Sequence, residues 1–140
     1  MSMFKVFDVA GSALSAQSLR LNVTASNMAN ANSVSSSEGD TYRARQPVFA
    51  AMLEQAGGGA QGANVGVQVK GVVESQAPLQ QQYNPGHPMA NEEGYIFLPN
   101  VNVVEEMANM ISASRSYQSN VEVINTAKQL MMRTLTMGQG

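Results

Sequence analysis

Val101-Asn-Val-Val-Glu-Glu-Met-Ala-Asn-Met-Ile111 opens, and Gln129-Leu-Met-Met-Arg-Thr-Leu-Thr-Met137 closes, the stretch whose reading decides the fold. Alternate steps of four and three residues from Val103 meet Met107, Met110, Ser114, Tyr117, Val121, Ile124, Lys128, Met131 and Leu135, a heptad seam with two polar members. Neither Pro nor Gly interrupts it. Asn102 is placed to cap the amide of Glu105, the acidic Glu105 and Glu106 suit the positive end of a helix dipole, and Lys128 and Arg133 lie towards the negative end. The spacing predicts one helix of about 35 residues, roughly 50 Å long. Each large seam side chain contributes roughly 1.5 to 3 kcal/mol if buried, so the stripe requires a partner of similar length.

A second helix is expected over residues 3–31. One face carries Met3, Phe7, Ala10, Leu14, Leu21, Ala25 and Met28, with Phe7, Leu14, Leu21 and Met28 recurring every seven positions. A second apolar line, Val9, Ala16, Leu19 and Val23, runs along nearly the opposite face. A weaker second line on the C-terminal helix holds Val123, Ala127 and Leu130. One antiparallel pair covers one stripe per helix, so the second stripes are expected to stay wet in a single chain and to mark intermolecular packing. Asn27 and Asn30, one turn apart, read either as a fraying helix end or as hydrogen-bonding groups for an adjacent backbone or subunit.

Between the helices the composition changes. Residues 33–40 form a polar loop, residues 41–53 read as extended with Pro47 at an edge, and 57–64 is a glycine-rich tip. Val65, Val67 and Val69 alternate with Gly66, Gln68 and Lys70 and continue to Val73, which predicts a strand hairpinned with the first. Asn84-Pro-Gly-His-Pro88 and Asn91-Glu-Glu-Gly94 are turns, the second leading to Tyr95-Ile-Phe-Leu98 before Pro99 closes the segment. The expected architecture is α+β: long N- and C-terminal helices forming a coiled-coil-like pair, with a small β- and loop-rich centre. The expected divisions are residues 1–33, 34–99 and 100–140.

Composition narrows the function. The 140 residues carry a net charge of −2, only 13% are charged and there is no Trp, which disfavours nucleic acid or an anionic membrane as partner. The absence of Cys excludes disulfides, thiolate metal sites and cysteine nucleophiles. Asp8, Ser12 and Ser15 break any apolar run at the N-terminus, so no cleaved signal peptide is expected, and no span reaches the ~20 apolar residues of a membrane helix.

Chemical motifs are thin. Gly57-Gly-Gly-Ala-Gln-Gly62 matches G-x-G-x-x-G but leads into a strand and lacks the downstream acid, so it reads as a loop. His87, the sole imidazole, sits between Gly86 and Pro88 with no local companion for catalysis or metal binding. Asn22-Val-Thr24 is a glycosylation sequon inside a helix, and the methionines of the long stripe read as packing. No catalytic, cofactor or metal residue is expected. The candidate site is an interface of Phe7, Leu14, Leu21, Met28, Val9, Leu19, Val23, Asn27 and Asn30 with Met107, Met110, Tyr117, Val121, Ile124, Met131 and Leu135.

Several stretches resemble the bacterial flagellar basal-body rod proteins, and among them the proximal-rod members. They are Phe7-Asp-Val-Ala-Gly-Ser-Ala-Leu14, Arg20-Leu-Asn-Val23, Ser26-Asn-Met-Ala-Asn-Ala31, Tyr42-Arg-Ala-Arg-Gln46, Glu74-Ser-Gln-Ala-Pro78, Tyr83-Asn-Pro-Gly-His-Pro88 and Ser112-Ala-Ser-Arg-Ser-Tyr-Gln118 with Asn120-Val-Glu-Val123. Many axial flagellar proteins have a doubled Asn where this chain has Ser26-Asn27. The resemblance implies a non-enzymatic building block of the drive shaft that crosses the periplasm. It also implies export through the flagellar type III apparatus without a cleaved signal peptide, followed by helical polymerisation with copies of itself and sister rod proteins. Two alternatives are an export-linked adaptor or closed oligomer using the same helices, and a cell-wall enzyme in the 34–99 segment. The enzyme would need paired carboxylates, and Glu38, Asp40, Glu54, Glu74, Glu92 and Glu93 form no recognisable pattern.

Overall fold

The computed structural model describes residues 3–52 and 66–138, so the 57–62 glycine run and Glu54 lie outside the described residues. In chain order the elements are α1 (Met3–Asn30), β1 (Arg45–Met52), β2 (Gly66–Glu74), β3 (Gln80–Tyr83), β4 (Tyr95–Leu98) and α2 (Val103–Gly138). Both terminal helices and the central β segment are where the sequence puts them, and the class is α+β. The Asn102 cap is present. Its Oδ1 accepts from the amides of Val104 (3.1 Å) and Glu105 (3.4 Å), and its carbonyl accepts from Glu106 (3.0 Å).

β1 and β2 form the expected antiparallel hairpin, Arg45 pairing with Glu74 at the root and Met52 with Gly66. A bulge between Val48 and Phe49 lets Gly71 and Val69 face consecutive β1 residues, leaving Lys70 extra. β3 and β4 make a second antiparallel hairpin, and Ser35 bridges Phe97 on the other edge of β4. The connection between them turns through Asn91, whose Oδ1 accepts from the amides of Glu93 (3.1 Å) and Tyr95 (2.8 Å). Gly94 closes that turn at φ +80°, a left-handed conformation, and a Cβ there would meet Tyr83 Cε2 at 2.9 Å. The Tyr83 and Tyr95 rings meet edge to face above it, 5.3 Å between centroids.

α1 is the middle layer. α2 packs along it on one side and the β1–β2 hairpin on another, while among the named elements α2 packs on α1 alone. This corrects one expectation. Ser12 Oγ accepts from the Val67 amide (3.0 Å) and Asn27 bonds Arg45, which marks the hairpin side of α1. Val9, Ala16, Leu19 and Val23 fall on that same side at helical spacing, with Ala16 and Val23 buried. The second stripe of α1 is therefore covered inside the chain, because the central segment folds back along the helix instead of standing apart from it.

The interior is lined by small side chains. Ala10, Ala16, Ala31, Ala44, Ala113 and Ala127 are buried, as are Val23 and Ile96, whereas nearly all large apolar residues of the helices are half covered or exposed. The accessible surface of 9662 Å² exceeds the roughly 7,000 Å² of a compact monomer of 14.9 kDa.

Candidate assembly interface

The two helices run antiparallel in a register set by Arg20, whose Nη2 donates to Asn109 Oδ1 (3.1 Å). Val6 accordingly shares an apolar cleft with Val123, Ala127 and Leu130. The line of α2 that meets α1 is not the large-residue seam. It is Glu106, Ala113, Asn120 and Ala127, seven apart, of which all but Asn120 are buried and Ala113 is wholly so. On α1, Ala10 and Thr24 are buried on the facing side, and Gln17 lies between them with its Oε1 buried and unpaired. Small and polar groups at the contact centre let the backbones come close, but contribute little apolar burial.

The expected seam lies to one side of this line. Met110, Ile124 and Met131 are half-buried, while Met107, Tyr117, Val121 and Leu135 are exposed. On α1 the heptad row Phe7, Leu14, Leu21 and Met28 is likewise half-buried. At about 100° per residue in a right-handed helix, both rows turn away from the contact line towards the flank opposite the β1–β2 hairpin. On that flank they leave partly covered apolar surface on both helices. The large-residue rows border the intrachain contact and are not its centre.

Asparagines hold the other end of the pair. Asn27, 1% exposed, donates from Nδ2 to the Arg45 carbonyl (2.8 Å), and its Oδ1 accepts from the Arg45 amide (2.9 Å) and the Tyr42 hydroxyl (2.8 Å). With that proton committed, Tyr42 accepts from Ser26 Oγ (3.2 Å), and the Arg45 guanidinium lies over its ring. Asn100 repeats the device next door: Oδ1 accepts from the Ala44 amide (2.8 Å), and Nδ2 donates to the Ala77 carbonyl (2.8 Å). Asn30 instead donates to Ser26 O of its own helix (2.9 Å). Of the two readings of this motif, Asn27 takes the backbone clamp and Asn30 the helix end.

The central segment offers little chemistry among the described residues. Glu38 pairs with Arg43 (3.2 Å), Glu74 with Arg45 (3.4 Å), and Asp40 accepts from Ser37 Oγ (2.7 Å). His87 Nδ1 accepts from the Met89 amide (3.1 Å) as a turn residue, and no three described His, Asp or Glu side chains are grouped to hold a metal. No described helix is long and apolar enough to cross a membrane.

A helix pair with a polar, small-residue contact centre and its large apolar rows left on an open flank defines a protein that assembles with others. Residues 7–35 match the family model described as flagella basal body rod protein, and residues 92–137 match that of the flagellar basal body rod FlgEFG protein C-terminal region. The chain is 55% identical over 139 residues to the flagellar basal-body rod protein FlgC of Salmonella typhimurium, and 56% identical over 139 residues to that of Escherichia coli O157:H7. It is 55% identical over 141 residues to FlgC of Yersinia enterocolitica, and each comparison spans 99% of this chain and 100% of the relative. The chain belongs to the flagellar basal-body rod proteins and is a structural subunit of that rod.

Proposed function

We propose that the chain polymerises through its terminal helices, with copies of itself and sister rod proteins, into the proximal part of a shaft that transmits torque across the periplasm and encloses the export channel. The observation that supports this reading is that the Phe7–Met28 row and the Met110, Ile124 and Met131 positions are only half-buried, with Met107, Tyr117, Val121 and Leu135 exposed beside them. Many half-covered side chains spread along two helices suit a load shared over many contacts. The role is structural and not catalytic: Glu38 and Glu74 are engaged in ion pairs, and the relatives are named as rod proteins. Delivery is through the flagellar type III export apparatus, without a cleaved signal peptide.

Cells lacking the chain are expected to lose the rod and motility. Both return with the wild-type chain and not with a Leu14→Glu, Ile124→Glu variant. Intact rods in cells without the chain would overturn the proposal.

A further inference from the structure

The strand edges of the central segment are closed or blunted, with one exception. On β1 the outward amide and carbonyl of Arg45 are taken by Asn27, and the next outward position is Pro47, which has no N–H to offer. β2 is bent by its bulge, and its outward Val67 amide is held by Ser12 Oγ (3.0 Å). On β4, Phe97 exchanges both backbone bonds with Ser35 (3.0 and 3.1 Å), and the Tyr95 carbonyl accepts from the Asn91 amide (2.9 Å). β3 is different. Asn84 donates to the Gly94 carbonyl (2.9 Å), so by alternation Gln82 and Gln80 bond β4, while the N–H and C=O of Gln81 and Tyr83 point away from it. No described residue bonds those four groups. All of β3 is exposed, its ladder is regular, and Gln80–Tyr83 contains no Pro, Lys or Gly to discourage pairing.

The surroundings of this edge are electrically one-sided. Residues 76–100 hold Glu92 and Glu93 and no Lys or Arg, a formal charge of −2 with His87 neutral, as large as the −2 of the whole chain. Both carboxylates are exposed in the turn beside Tyr83, itself 64% exposed, and neither has a partner among the described residues. A guanidinium meets the segment only at its other end, where Arg43 reaches the Ala77 carbonyl (3.5 Å) while paired with Glu38. At that end, next to Gln80, lies an open cleft lined by Pro78, Val101, Val103 and Val104, with Val104 76% exposed. The edge therefore has an anionic end and an aliphatic end, about four strand residues apart.

We propose that the outer edge of β3 takes up an extended, basic segment of another protein as an added antiparallel strand. The backbone of that segment bonds Gln81 and Tyr83, a Lys or Arg near its start lies over the Tyr83 ring beside Glu92 and Glu93, and an aliphatic residue about four positions later enters the cleft at Val103 and Val104. Charge complementarity chooses the occupant. Two copies of this chain pairing edge to edge and antiparallel would set each Glu92–Glu93 turn at the other's aliphatic cleft, a mismatch. The contact goes beyond the rod reading and does not depend on it, since it uses the central segment and not the terminal helices. With two outward donors and two outward acceptors, the edge holds an isolated peptide weakly, and a tethered segment firmly.

The test follows amide exchange by NMR in the isotope-labelled full chain, at low salt, with the hexapeptide acetyl-Lys-Lys-Thr-Val-Thr-Val-amide at millimolar concentration. Exchange at Gln81 and Tyr83 is expected to slow by about tenfold or more, with little change at Gln80 and Gln82, whose amides already bond β4. N-methylation of one alternate set of peptide amides is expected to abolish the effect, and of the other set to leave it. Glu92→Gln with Glu93→Gln is expected to lower affinity about three- to tenfold, as is high salt. Gln81→Pro removes an outward donor without touching the bonds to β4, and an affinity loss of about tenfold is expected with the remaining spectrum unchanged. Unchanged exchange at Gln81 and Tyr83 overturns the proposal. So does equal slowing by a Glu-Glu-Thr-Val-Thr-Val peptide or by both methylated peptides. Slowing that appears on concentrating the peptide-free chain assigns the edge to a second copy and overturns it too. None of these outcomes touches the rod reading, which the loss and return of motility tests separately.

Discussion

The two ends of the helix pair are built in opposite ways. At the root, Asn27 and Asn100 satisfy the backbone of Ala44 and Arg45 with bonds of 2.8 to 2.9 Å, Ser75 donates to the Ala44 carbonyl at 2.7 Å, and large apolar side chains play almost no part. Towards the C-terminal end of α2, Met132, Leu135 and Met137 are 59 to 75% exposed. Polar groups buried with full hydrogen bonding define a single geometry, because any displacement strands a donor or acceptor. Apolar side chains accept any neighbour of suitable shape. The root thus gives the lone subunit a definite form, and the C-terminal end of α2 leaves large apolar side chains exposed.

Asn27→Ala is the strongest way to break this contrast. It strips the Arg45 amide and carbonyl of their partners in a buried site, and a loss of about 3 kcal/mol in urea unfolding is expected. A variant as stable as wild type would show that the root does not hold the chain together. Asn100→Ala removes the neighbouring clamp and is expected to cost about 2 kcal/mol in the same measurement, less because Asn100 is only partly buried. Gly94→Ala forces a Cβ into a left-handed turn and against Tyr83. A cost of about 1 to 2 kcal/mol is expected, with altered near-ultraviolet circular dichroism from the tyrosine pair.

Gln17→Met should move the other way. Its buried Oε1 has no partner at the centre of the helix contact, so an apolar side chain of similar length is expected to raise stability by about 1 kcal/mol. A fall would mean that Gln17 is satisfied in solution. Leu135→Ala sharpens the comparison at its weakest point. Unfolding of the subunit should shift by less than about 0.5 kcal/mol, since the side chain is 60% exposed, while incorporation into rods measured in basal-body fractions drops. A large change in subunit stability would place Leu135 inside the lone fold.

Much of the fold was legible in the residues. Heptad spacing located both helices, Asn102 marked the start of α2 to the residue, and alternation of Val67 and Val69 with Gln68 and Lys70 located β2. The contact line Glu106, Ala113, Asn120 and Ala127 was not legible. It repeats every seven residues as clearly as the seam does, but a search for large apolar side chains passes over alanines and polar groups, whose value lies in letting two backbones approach. The clamp by Asn100 was hidden for another reason. Its partners, Ala44 and Ala77, are 56 and 23 residues away, and nothing in a local pattern announces a side chain that bonds distant backbone.

The sequence by itself determined both terminal helices, the first hairpin and the presence of more apolar stripe than one helix pair can bury, while the β3–β4 hairpin was not read from it. Those follow from periodicity and capping, which act over a few residues along the chain. Only the tertiary structure decided which stripe is satisfied at home. The hairpin covers Val9, Ala16, Leu19 and Val23 because Ser12 and Asn27 anchor it there, and the large-residue rows are turned outward because the small-residue rows meet first. Burial is a property of faces in space, and two faces of one helix with equal hydrophobicity differ only in what the rest of the chain lays against them.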